Sequence, residues 1–296
     1  MKKAIKTVSL LSTVIIMASC GNSEKTPGEM SADSTKTAAS TDTIEAEQSS
    51  VVYNIPSPME TFTVLKMSGA TFEKTLLNPV NNIAKYTTSY SKSVNLGTYS
   101  ADLSFCLLYK QNQDINIYLK NVNELTSALD IDGNYVQKVA QRLKVNSNNL
   151  DSIVQIVSEA TINANLYLKE NQRDNTTALI TAGGWIEGMY FITNLANKTK
   201  KKEIIGLVAE QKNVVKNLVK ALEQFSTSDP EIAGLLSEIK DISSIYENLK
   251  PVQEMAVAST EDNVISIGNN TSYELTNEQL KSISEKVIAL RNKLTT

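Results

Sequence analysis

The sequence predicts an all-α protein: an antiparallel helical bundle, or paired bundles, of about ten helices. Three observations carry this. Apolar residues recur three or four apart through nearly all of the chain beyond residue 51, the spacing that stacks side chains on one face of a helix. Gly and Pro are sparse, 11 and 6 of 296 residues, too few for the many tight turns of an all-β protein. Hydrophobic residues make up 41% and charged residues 21%, ordinary globular proportions that let each apolar stripe find a partner.

Residues 1–19 read as a lipoprotein signal peptide. Lys2, Lys3 and Lys6 make a basic start, Val8 to Met17 an apolar run, and Ala18-Ser19 a small-residue cleavage site before Cys20. The run is too short to cross a bilayer, which needs about 20 residues. Met17-Ala18-Ser19-Cys20 resembles the lipobox of exported lipoproteins. That resemblance implies a diacylglyceryl thioether on Cys20, cleavage before it and acylation of the new amine. Two or three chains hold a membrane stably where one does not. Gly21, not Asp, follows the cysteine, which by analogy with other lipoproteins favours the outer membrane. Residues 20–50 form the lipidated cysteine and a Ser/Thr-rich tether with almost no large apolar groups. Such a segment cannot offset its ordering entropy and is predicted to stay disordered, with a reach of about 30 Å.

Residues 51–296 form the helical domain. Ser57-Pro58-Met59-Glu60 is a capping box with proline at the first helical position, and Gly69 suits the helix end. Ile83, Tyr86, Tyr90 and Val94 share a helical face, as do Ile115, Tyr118, Leu119, Val122, Leu125 and Leu129. Val136, Val139, Ala140 and Leu143 mark a short helix. Leu150, Ile153, Val157, Ala160, Ala164 and Leu168 mark a long one. The polar tract Asn171–Asn175 is a hinge. Ile204 to Phe225 carries the next stripe, after Lys200-Lys201-Lys202, and Asp229-Pro230 opens another that Pro251 ends. A small extended hairpin is predicted near 263–275, with Gly268-Asn269-Asn270 as its turn. Thr276-Asn277-Glu278-Gln279 then caps a final helix with Leu280, Ile283, Val287, Leu290 or Arg291, and Leu294.

Two segments depart from simple stripes: Asn95–Phe105 and Thr181–Phe191. Gly183, Gly184 and Gly188 in one helical stretch cost about 1 kcal/mol each relative to alanine. Close approach of two helix backbones through Gly97, Gly183, Gly184 and Gly188 would offset that, and so would a ligand pressed on bare backbone. Aligning Gly97 with Gly183 pairs Tyr99 with Trp185, Leu103 with Met189 and Phe105 with Phe191, and brings Asp102 to within one position of Glu187. The match suggests a duplicated helical hairpin whose halves pack glycine face to glycine face.

Asp102 and Glu187 stand among apolar and small residues, where a carboxyl must pair or shift its pKa. The structural reading gives each a core Tyr, Asn, Lys or Arg partner, with Lys85 and Arg173 as candidate cations. The functional reading makes a candidate ligand pocket of Tyr86, Tyr99, Asp102, Trp185, Glu187 and Tyr190. Its chemical extreme is a hydrolase that uses the two carboxylates as acid and base.

Composition excludes other classes. With no histidine the chain lacks the usual proton shuttle and the commonest metal ligand. Of two cysteines, Cys20 is taken by lipid and Cys106 stays alone, so no internal disulfide or Cys/His zinc site is expected. No cofactor, metal site or catalytic residue is assigned. The formal net charge is −3 and falls to about −6 once the three leader lysines are removed; with no basic stripe, nucleic acid is not an expected partner.

Ile55-Pro56-Ser57-Pro58, Leu76-Leu77-Asn78-Pro79, Lys85-Tyr86, Asn95–Leu103 and Gly183-Gly184-Trp185-Ile186-Glu187 resemble a family of uncharacterised Bacteroidetes-type lipoproteins. The resemblance spans most of residues 51–250. It implies export, a lipid anchor and a helical domain, and no established activity. The functional expectation is a non-enzymatic binding or interaction module of the cell envelope. Its partners would be the membrane through the anchor, and an envelope protein or a small ligand.

Overall fold

The computed structural model describes residues 55–131, 133–252 and 272–296. The signal peptide, Cys20, the tether and residues 263–271 of the expected hairpin lie outside the described residues. Nine α-helices are described: α1 Pro58–Met67, α2 Ser89–Leu108, α3 Asn112–Ala128, α4 Gly133–Val145, α5 Leu150–Glu170, α6 Asp174–Thr199, α7 Lys202–Glu223, α8 Pro230–Glu247 and α9 Asn277–Thr295. Two 3-10 turns, Lys74–Leu76 and Val80–Lys85, lie between α1 and α2. The fold is an all-α bundle.

Local chemistry sets the helix starts. Ser57 with Glu60, Thr88 with Ser91, and Thr276 with Gln279 form reciprocal caps, and Asp229 accepts the backbone N–H groups of Glu231 and Ile232 ahead of α8. The Thr88 cap explains one difference from the sequence reading. Ile83 and Tyr86 do not share a helix with Tyr90 and Val94, because the chain makes a 3-10 turn first and α2 begins only at Ser89. Single left-handed residues reverse the chain at four connections: Lys110, Asp130, Gln172 and Lys200, with φ of 55°, 51°, 57° and 54°.

The core forms around α2 and α6. Both are buried along most of their length. Consecutive helices run back and forth, so α2 and α6, four apart in order, run parallel: Gly97 lies beside Gly184, Asp102 beside Glu187, and the rings of Phe105 and Phe191 are 4.4 Å apart. Phe62 of α1 packs edge-on to both rings, at 5.4 and 5.2 Å. Against this pair α3 covers α2, α7 covers α6, and α9 fills the space beside α6 and α8. The α4–α5 hairpin leans on α3 and α6.

The small extended element is an antiparallel pair, β1 Lys250–Val252 with β2 Ser272–Glu274, in the register Lys250 to Glu274 and Val252 to Ser272. Pro251 therefore sits in a strand, and α8 has already stopped at Glu247. Lys212 of α7 lies over the Tyr273 ring at 4.4 Å and ties the pair to the bundle.

Candidate functional site

The contact between α2 and α6 depends on two glycines. A Cβ on Gly97 would sit 2.0 Å from the Ile180 carbonyl oxygen and 2.6 Å from the Gly184 nitrogen. A Cβ on Gly183 would sit 1.8 Å from the Val94 carbonyl oxygen. Ile180 precedes Gly183 by three residues, and Val94 precedes Gly97 by three. The contacts are thus reciprocal, as expected of two parallel helices related by a local two-fold axis between them. Gly184 is less constrained, with Pro58 Cγ at 3.2 Å. Gly188 is not a contact glycine, because a Cβ there meets nothing within 4 Å. It borders a void of about 10 Å³ lined also by Pro58, Thr61 and Gln211.

One turn beyond this contact lies a buried charged cluster. Asp102 and Glu187 are both 0% exposed. Glu187 accepts two hydrogen bonds from Arg291 of α9, Nε to Oε2 and Nη2 to Oε1, each 3.0 Å. The guanidinium lies over the Tyr190 ring at 4.5 Å. Both Asp102 oxygens accept the Asn78 backbone N–H at 3.3 Å. The phenols are used structurally. Tyr99 donates to the Pro79 carbonyl at 3.0 Å, Tyr118 to the Asn78 carbonyl at 2.7 Å, and Tyr86 to the Thr295 carbonyl at 3.3 Å. They pin the 78–80 loop and the end of α9 to the core.

Burial pushes the Asp102 carboxyl well above the usual carboxylate range, and the neighbouring Glu187 adds to the rise; Arg291 and the Asn78 N–H oppose it. Burial also raises Glu187, against the Arg291 charge and hydrogen bonds. Burial acts to lower Arg291, but the Glu187 carboxylate more than reverses that and keeps it cationic. Of the two, Asp102 is the carboxyl that burial and its neighbour push toward the protonated form, and Glu187 is the one that Arg291 holds toward the ionised form.

Five of the six expected pocket residues therefore converge: Tyr86, Tyr99, Asp102, Glu187 and Tyr190. They do so around Arg291, and none of the five lines the cavity described below. Trp185 stands apart, because two residues along a helix is a turn of about 200°. Its indole N–H donates to Gln211 of α7 at 3.1 Å. The acids are partnered by Arg291 and Asn78, not by Lys85 or Arg173. The signal for Arg291 was its place in the apolar stripe of the last helix, where a guanidinium has to meet a buried carboxylate.

On the other side of α2 and α6 the structure opens a cavity of about 540 Å³. Leu96, Ser100, Leu103, Ser104 and Leu107 of α2 form one wall, with Ile180, Gly184 and Trp185 of α6 beside them. Opposite stand Leu119 and Val122 of α3, Val139 and Leu143 of α4, and Val157, Ala160 and Ala164 of α5. Residues 55–58 border it, and the exposed Thr161, Leu166 and Glu170 mark its rim on α5. The hydroxyls in the wall are turned onto their own helices. Ser100, Ser104 and Thr126 each donate to the carbonyl four residues back at 2.7 Å, and Thr161 does so at 3.0 Å. The surface offered to a ligand is therefore mostly apolar, with Asn163, Asn165 and Thr181 also in the lining. Sequence reading missed this cavity because five helices make it. Its one trace is the small residues at four-residue spacing, Ser100 with Ser104 and Ala160 with Ala164.

Cys106 is buried in the core and burial pushes its thiol up, the opposite of an activated nucleophile. Among the described residues no group of three or more Cys, Asp or Glu side chains is placed to hold a metal ion. Comparison with protein-family models, curated proteins and solved structures finds nothing that matches the chain.

Proposed function

We propose that this chain is a cell-envelope lipoprotein whose helical domain is a non-enzymatic binding module for an apolar small molecule, held in the cavity between α2, α6 and the α3–α5 helices. The carrying observation is the cavity itself. Its 540 Å³ lies within the range of about 300–1,000 Å³ typical of small-molecule sites, and its wall is mostly apolar. The alternative, an envelope hydrolase working through Asp102 and Glu187, finds less support. Both carboxyls are fully buried, both are occupied by protein donors, and neither lines the cavity.

Trp185 is the single tryptophan and lines the cavity, so it is a built-in reporter. The neutral probe N-phenyl-1-naphthylamine should bind and quench Trp185 emission by energy transfer. Ala160→Phe, which fills the space from α5, should abolish this while the thermal unfolding midpoint holds. Ala164→Phe serves as a second filling variant if the first unfolds. Failure of the folded wild type to take up the probe would overturn the binding reading.

The envelope assignment rests on the basic start, the apolar run and the lipobox-like residues before Cys20. Among the described residues no helix is long and apolar enough to cross a membrane, so attachment in this reading runs through the lipid. Cys20→Ser is expected to move the protein from the detergent phase to the aqueous phase in a phase-partitioning assay. A variant that stays in the detergent phase contradicts the anchor.

A further inference from the structure

We infer that the occupant of the cavity is one long uncharged hydrocarbon chain, such as a long-chain alcohol, an isoprenoid or the tail of a neutral lipid, and not a free fatty acid. The inference rests on the binding reading above and deepens it. Size sets the first limit. The 540 Å³ falls within the range of about 300–1,000 Å³ typical of small-molecule sites, which accommodates one long chain.

Charge sets the second. Among the described lining residues there is no lysine or arginine, and the one charged side chain is Glu170 at the rim. A carboxylate entering with the chain would meet no cation and one like charge. Backbone donors are no better placed. The N-terminus of α1 reaches the cavity at Ser57 and Pro58 and would ordinarily attract an anion. Here Pro56 and Pro58 have no N–H, the Ser57 N–H is held by the Glu60 carboxylate, and the Glu60 N–H is held by the Ser57 hydroxyl. The capping box thus occupies two N–H groups of this turn and adds a second carboxylate beside it. The fixed cation of the core, Arg291, is committed to Glu187 and does not line the cavity.

The test uses the full chain carrying Cys20→Ser, which has no acyl group of its own to compete. N-phenyl-1-naphthylamine is bound, and hexadecanol or palmitate is titrated in at about pH 8, where the acid is ionised. Hexadecanol should displace the probe at about tenfold lower concentration than palmitate. Thr161→Lys, which places a cation on the rim, should improve palmitate about tenfold and leave hexadecanol unchanged. Palmitate equal to or better than hexadecanol in the unmodified cavity overturns the inference and leaves the binding reading standing. Probe uptake with no displacement by either compound overturns the long-chain inference alone. Absence of probe uptake overturns the binding reading.

Discussion

Gly183→Ala is expected to abolish the native fold or to leave it severely weakened. The new Cβ would sit 1.8 Å from the Val94 carbonyl oxygen, and neither helix backbone has a side chain that could yield. Parting α2 from α6 would open the contact between two helices that are buried along most of their length. Overpacking into side chains costs about 1–3 kcal/mol, and overpacking into backbone stands at or above the top of that range. The gain in helix propensity from replacing glycine, about 1 kcal/mol, is the smaller effect. Gly188→Ala isolates that smaller effect. Open space surrounds the position, so this variant should be more stable than wild type by up to about 1 kcal/mol. Urea unfolding midpoints of the two variants decide the matter. Equal midpoints would mean that the glycines of α6 do not set the helix contact.

Arg291→Leu is the second large effect. It strands Glu187 in the interior beside Asp102, and breaking a buried pair in this way costs about 3–5 kcal/mol. The loss should be greatest near neutral pH and shrink in acid, where protons replace the missing cation. Asp102→Asn should act in the opposite sense. In the native state the Asp102 carboxyl is raised well above its usual 3.8. Its contribution is complete below that value and is lost as pH rises toward the native pKa, because the folded chain holds a proton that the unfolded chain has released. Asparagine keeps a donor for Glu187 and an acceptor for the Asn78 N–H without that dependence. The variant should match or exceed wild type near pH 7 and show a flatter stability profile. An unchanged pH profile would remove Asp102 as the proton holder.

Much of the fold is legible in single residues. Ser57 with Glu60, Asp229 with Pro230, and Thr276 with Gln279 announce helix starts from sequence alone because each cap is closed within four residues. The glycine contact is half legible. The helix-interior cost of Gly97 and Gly183 shows that something offsets it, but whether the offset is a helix or a ligand depends on which face each glycine presents. Gly188, four residues from Gly184, carries the same sequence signal and meets only space. Glu187 and Trp185 read as neighbours in sequence and face opposite sides of α6. The Arg291 partner, 104 residues from Glu187, has no local signature. The cavity has least of all, since no single helix encodes the gap between five.

The parallel course of α2 and α6 brings two carboxyls together at the centre, one from each helix, but α9 delivers a single guanidinium. Burial favours removing the leftover negative charge with a hydrogen ion on Asp102, held in the interior as a side chain would be. Folding at a pH between the ordinary carboxylate value and the raised native one would then consume acid from the medium. In a weakly buffered solution, diluting the unfolded chain out of denaturant should leave the liquid slightly more alkaline.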